Sequence, residues 1–152
     1  MSTAAASTPQ SVPLADDADT VELVELANAL VARVWGHLTA RAAELNLTVA
    51  EAKALQHLEA ETSMPMRALA VRVHANPSNV TVIVARLEAR GLLTRDVGSD
   101  RRVKGVRLTN AGLKMRHALE MRLLADHPVV HGLSAAEQHQ LLVLLRQLQQ
   151  TA

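Results

Sequence analysis

Residues 66–109 read MRALAVRVHANPSNVTVIVARLEARGLLTRDVGSDRRVKGVRLT, and the fold turns on two points of punctuation within them. The first is Asn76-Pro77. It pairs a residue type favoured at helix N-caps with a proline at the first helical position, where a missing N–H costs nothing. Val80, Ile83, Val84 and Leu87 then recur at helical spacing, and Gly91, the second point, supplies a C-cap. Just upstream, Met66, Leu69, Ala70 and Val73 fall at i, i+3, i+4 and i+7, which predicts a short helix within Met64–Ala75. Downstream the period changes. Leu92–Val97 and Val103–Thr109 partly alternate around a Gly-Ser-Asp-Arg centre and read as a β-hairpin. Two short helices joined tightly and followed by a charged hairpin are the parts of a winged helix-turn-helix.

Outward from this segment the pattern is helical on both sides. Thr48-Val49-Ala50-Glu51 is a capping box, continued by Leu55 and Leu58. Before it, Asp19-Thr20-Val21-Glu22 offers a similar start to a long helix. That helix carries Leu23, Leu26, Ala27, Leu30, Val31, Val34, Trp35 and Leu38, and Val21 and Val24 widen the stripe, so burial on more than one side is expected. After Thr109, Leu113, Leu119, Leu123 and Leu124 predict a helix ending near His127-Pro128. Ser134-Ala135-Ala136-Glu137 opens a last one, with Leu141, Leu142, Leu144, Leu145 and Leu148. Residues 1–18, rich in Ala, Ser, Thr and Pro, read as a mobile tail. The expected fold is mainly α: a single domain over 19–152, with a winged lobe at 48–109 between long flanking helices at 19–46 and 110–150.

Composition narrows the function. The chain has 152 residues, 49% of them hydrophobic, which suits one domain with one core. It has no cysteine, which excludes disulfides, thiolate metal sites and cysteine nucleophiles and fits a reducing compartment. The first basic residue is Arg33, so no secretory start is visible, and the Leu141–Leu145 run is too short to cross a bilayer; a cytoplasmic protein is expected. The net charge of +1 hides an asymmetry. Residues 64–109 hold nine basic and three acidic side chains and carry +6, while the rest of the chain carries −5. A basic middle flanked by acidic ends suits a module facing a polyanion on a scaffold that does not touch it.

The Pro77 helix has a face that fits this reading. At about 100° per residue, the side opposite the stripe is centred on Ser78, Val82 and Ala85, with Asn79, Thr81 and Arg86 on its edges. An ordinary solvated face carries Lys and Glu; this one is small, polar and apolar. Such a helix fits a major groove, and the free N–H groups at Asn76 suit a phosphate.

Residues 48–114 resemble the MarR (multiple antibiotic resistance regulator) family. The residues carrying the resemblance are Leu47-Thr48, Leu69-Ala70, Asn76-Pro77-Ser78-Asn79-Val80-Thr81 and Arg86-Leu87-Glu88-Ala89-Arg90-Gly91-Leu92. They continue with Asp100-Arg101-Arg102, then Val106-Arg107-Leu108-Thr109 and Gly112. The resemblance implies a homodimeric regulator, presumed a repressor on a pseudo-palindromic operator in double-stranded DNA. Its terminal helices would form the dimer, here through Leu23, Leu26, Leu30, Leu141, Leu144, Leu145 and Leu148. It also implies a wing in which Arg102 enters the minor groove, beside Arg101, with Lys104 and Arg107 on phosphates. The family often has a basic residue at the position of Val82 and an acidic one at Ala85, where the acid braces the wing arginine; this chain lacks both. Val82 then suits a thymine methyl in place of a guanine-reading arginine.

The family's effector pocket lies between the dimer helices and the winged lobe. Trp35, His37, Arg41, His57, Met115 and Arg116 are candidates to line it, with Arg41 or Arg116 holding a small aromatic or anionic effector. Neither a cofactor nor a metal is expected. His127 and His131 are four apart, but Pro128 and Gly132 place them in a loop. No phosphate-cradling, nucleophile-elbow or zinc-protease motif is present, so an enzyme is not expected. Two other readings stay open. A sequence-tolerant architectural DNA binder is disfavoured by the near-neutral total charge, and a winged-helix protein-interaction module by the basic segment and the Asp100-Arg101-Arg102 tip.

Overall fold

Side-chain caps set most of the helix starts in the computed structural model, which describes residues 17–97 and 104–150. Residues 1–16 of the expected tail and the Asp100-Arg101-Arg102 tip lie outside the described residues. In chain order the elements are α1 (Asp17–Ala43), α2 (Val49–His57), β1 (Met64–Pro65), α3 (Met66–Val73), α4 (Pro77–Ala89), β2 (Leu93–Val97), β3 (Lys104–Leu108), α5 (Asn110–Leu124) and α6 (Ala135–Gln150).

The capping box at α2 forms as the sequence predicts. The Glu51 N–H donates to Thr48 Oγ1 at 3.2 Å and the Thr48 N–H to Glu51 Oε2 at 2.9 Å, which accounts for a carboxylate buried there. Ser134 and Glu137 repeat the arrangement before α6. Asn76 caps α4 by accepting the Asn79 N–H at 2.8 Å. Gly91, at φ +67°, ends α4 in a Schellman turn: its N–H reaches Glu88 O at 2.8 Å and the Leu92 N–H reaches Leu87 O at 2.9 Å.

Four boundaries differ from expectation. α1 begins at Asp17, so the Asp19–Glu22 box lies inside a helix rather than at its start. Met64-Pro65 is not helical; it forms a short edge strand paired with β3, Met64 opposite Val106 and Pro65 opposite Gly105. Proline is tolerated there because an edge position asks for no further N–H. α5 ends at Leu124, before His127. The wing strands start one residue inside the expected limits, giving an antiparallel sheet in the order β1-β3-β2.

The core lies where α2, α3, α4 and the sheet meet the C-terminal end of α1 and the middle of α5. Leu55, Leu58, Leu69, Val80, Val84, Leu87, Val106 and Leu119 are its largest fully buried side chains. α1 departs most from the sequence reading. Only Ala42 of that helix is buried, and Val21, Leu23, Val24, Leu26 and Val31 are exposed. α6 buries no residue. Among the described residues no helix is long and apolar enough to cross a membrane.

Candidate nucleic-acid interface and adjoining cavity

α3, an αL turn and α4 build the candidate reading head. His74, at φ 53°, closes α3, and the Ala75 N–H returns to Ala70 O at 3.0 Å, which turns the chain into the Asn76 cap. Val80, Ile83, Val84 and Leu87 face the core, the stripe the sequence predicts. The opposite side is open: Pro77, Ser78, Asn79, Thr81, Val82 and Arg86 are all exposed, Val82 by half. Asn76 spends its side-chain oxygen on the cap, and the Thr81 hydroxyl donates to Pro77 O at 3.0 Å. Ser78 and Asn79 are therefore the polar side chains of the first turn with no such tie among the described residues.

Charge surrounds this head. Arg67 and Arg72 on α3 and Arg86 on α4 are exposed, and none forms an ion pair with another described residue. Arg95 on β2 pairs with Glu88 at 2.9 Å, tying the wing to the last turn of α4. Arg107 on β3 lies 3.7 Å from Asp96 and donates to Ala60 O at 3.4 Å, so it braces the wing base with part of its donor set. Arg90, the C-cap of α4, anchors that same end, donating to Asn46 O at 2.7 Å and Leu45 O at 3.2 Å in the turn after α1. The sequence gives no sign of these two bracing arginines, because their carbonyl acceptors are 44 or more residues away in the chain. Arg101 and Arg102 lie outside the described residues, as does the side chain of Lys104.

Behind this lobe, α1, α2 and α5 enclose a cavity of about 420 Å³. Its apolar wall is Val34 and Leu38 from α1 with Leu123 and Leu124 from α5; its polar groups are His37, Gln56, Glu120 and His127. Of the six residues the sequence offers for an effector pocket, His37 alone lines it. Trp35 is about half exposed, with Lys53 Nζ 4.1 Å from its ring centre. Arg41 pairs with Glu44 at 2.6 Å. Arg116 donates to Leu58 O at 2.8 Å and lies 3.5 Å from Glu120, while Met115 packs on the core. His57 closes α2 among Arg72, Lys53 and His74. His127 pairs with His37 rather than with His131, the ring centres 5.3 Å apart and the planes at 70°. His131 instead sits 3.5 Å from Asp126. The described residues contain no cluster of three or more potential metal ligands.

Each imidazole has a backbone hydrogen-bond partner. His37 Nε2–H donates to Leu123 O at 3.0 Å, and His127 Nδ1 accepts the Val129 N–H at 3.3 Å. Burial, and secondarily the field of His37, holds His127 below the ordinary histidine value of 6.5. Burial, then Arg72, Lys53 and His74, does the same to His57. The unfolded chain therefore takes up these protons first as pH falls, so stability drops below about pH 6.5. Thermal melts should show a lower Tm at about pH 5.5 than at about pH 7.5, and replacing both histidines by glutamine should flatten that difference. An unchanged slope in the double variant would assign the acid sensitivity to other groups.

The comparisons agree with this architecture. Residues 45–103 match the MarR family model. A MarR family protein from Bacillus stearothermophilus superposes with a TM-score of 0.76 at 24% identity, over 90% of this chain and 97% of that one. A MarR family transcriptional regulator from Silicibacter pomeroyi gives 0.65 at 27% identity, over 81% and 84%. A mutant of S. aureus MepR bound to an oligodeoxyribonucleotide gives 0.59 at 20% identity, over 85% and 96%. No curated protein matches the chain in sequence. The family model thus falls on the reading head, residues 45–103, and the winged-helix fold is shared with solved MarR-family proteins over most of the chain.

Proposed function

We propose that the protein is a sequence-specific repressor acting as a homodimer on a pseudo-palindromic operator. In this reading α4 enters the major groove, and its exposed Ser78, Asn79 and Val82 read base edges there. Arg86 and Arg67 hold phosphates, the wing follows the adjacent minor groove through Arg101 and Arg102, and Lys104 and Arg107 lie at its base. Two copies join through the exposed apolar faces of α1 and α6. A small effector in the cavity between α1, α2 and α5 releases the DNA by changing the spacing of the two lobes. The observation that carries the proposal is the outer face of α4. Its first turns present small, exposed side chains with few competing bonds, backed by four buried aliphatic residues and flanked by exposed arginines.

Fluorescence anisotropy with the intergenic DNA beside the protein's own gene, across a salt series, tests this. Replacing both Ser78 and Asn79 by alanine should weaken operator binding about 10- to 100-fold while leaving weak binding to random duplex nearly unchanged. Arg86→Ala should weaken both and reduce the salt slope by about one. Equal affinity for operator and random duplex in the parent protein would replace this reading with sequence-tolerant DNA binding.

A further inference from the structure

The cavity between α1, α2 and α5 has an uneven charge inventory. Glu120 is the one acidic side chain in its lining, which holds no lysine or arginine. The nearest cation, Arg116, approaches Glu120 from outside the lining and gives its shortest bond to Leu58 O. Arg41 and Arg122 are both engaged by Glu44, at 2.6 and 3.2 Å, and Arg33 of α1 is exposed and does not line the cavity. Of the two histidines in the wall, His127 uses Nδ1 to accept the Val129 N–H and His37 uses Nε2 to donate to Leu123 O. An entering carboxylate or phenolate would lose its hydration against a carboxylate, with no cation in the wall to replace it. An ammonium group would meet the Glu120 carboxylate and imidazole or amide acceptors, while Val34, Leu38, Leu123 and Leu124 cover an apolar body. A volume of about 420 Å³ lies within the range of pockets that enclose small organic ligands.

We infer that this cavity takes a small amphipathic molecule bearing a protonated amine, with Glu120 as its counter-ion. The inference rests on the proposed role of the cavity as the effector site and adds the charge of the ligand. It reverses the anionic class that the sequence suggests, because the arginines that would have held an anion face elsewhere. It also places Glu120 where an incoming cation competes with Arg116. Arg116 joins α5 to the C-terminal end of α2, so that competition bears on the joint between the dimer helices and the winged lobe.

Three probes of one skeleton test the assignment: phenylbutylamine, phenylbutanol and phenylbutyrate, titrated calorimetrically into the full chain near neutral pH. The amine should bind at least about tenfold more tightly than either of the others, since a close charge pair at a partly exposed site outweighs a neutral contact by that margin. Glu120→Gln, a conservative change at a half-exposed position, should reduce the amine to the affinity of the alcohol. If all three probes bind equally, or the carboxylate binds best, the cavity remains a ligand site and the charge assignment is overturned. If none binds, the effector reading of the cavity falls with it. An amine preference that survives Glu120→Gln would overturn the role of Glu120.

Discussion

Replacing Gly112 by alanine is expected to destabilise the protein by about 3 kcal/mol, more than any other single methyl added at a described glycine. Gly112 sits in the first turn of α5, where its N–H donates to Thr109 Oγ1, the N-cap. A Cβ built on it would overlap the carbonyl oxygen of Leu92 and stand 3.0 Å from the carbonyl carbon and 3.1 Å from Leu108 Cδ2. That carbonyl is backbone, and it is already held by the Thr109 N–H at 3.1 Å, while Thr109 Oγ1 donates to Gly91 O at 2.6 Å. The obstacle cannot rotate aside. Relief requires the start of α5 to move away from the Gly91-Leu92 turn that ends α4. In a chain of this size the loss corresponds to a Tm lower by about 6–12 °C. Two other glycines calibrate the measurement. A Cβ at Gly105 meets the Ser63 hydroxyl, a rotatable side-chain group, so Gly105→Ala should cost less. Gly36 lies in α1 with nothing within 4 Å, and Gly36→Ala should raise Tm slightly through helix propensity. A Gly112→Ala melt indistinguishable from the parent would mean the close approach of α5 to Leu92 is wrong.

The contrast between Gly112 and Asn76 shows how far the sequence can be read. Asn76-Pro77, Thr48 with Glu51, and Ser134 with Glu137 act through partners within three residues, so their chemistry is visible in a single line of text. The buried stripe of α4 and the exposed Ser78, Asn79 and Val82 opposite it follow from periodicity for the same reason. Gly112 was legible only as part of a family pattern; its reason, the Leu92 carbonyl, lies twenty residues upstream. Met64-Pro65 reads as the start of a helix because the Met66–Val73 period runs on from it, whereas its strand character comes from Val106 and Gly105 on β3. The cavity was the least legible feature. It needs α1 beside α5, which nothing local encodes, so His37 was a candidate while Glu120 and Gln56 were not. His127 was weighed against His131, its neighbour in sequence, and not against His37, its neighbour in space.

The apolar face that the sequence assigned to a buried α1 supports the second large prediction. Leu26 and Leu144 are 61% and 51% exposed in the single chain, and with Leu23 at 68% they leave exposed leucines on two helices. Each such side chain, once fully buried, contributes about 2 kcal/mol, so a handful suffice to hold two copies together. The double variant Leu26→Glu, Leu144→Glu should therefore be monomeric by sedimentation. Because neither leucine packs into the core and glutamate is a good helix former, its circular dichroism should stay that of the parent. Operator affinity should fall about 100-fold or more, since binding the second half-site ceases to be intramolecular, whereas affinity for a single half-site should be nearly unchanged. The half-site arm gives the experiment its force: a reading head damaged by the substitutions would lose both. A double variant that remains dimeric would remove α1 and α6 from the interface, and a monomer with full operator affinity would show that one lobe suffices for recognition.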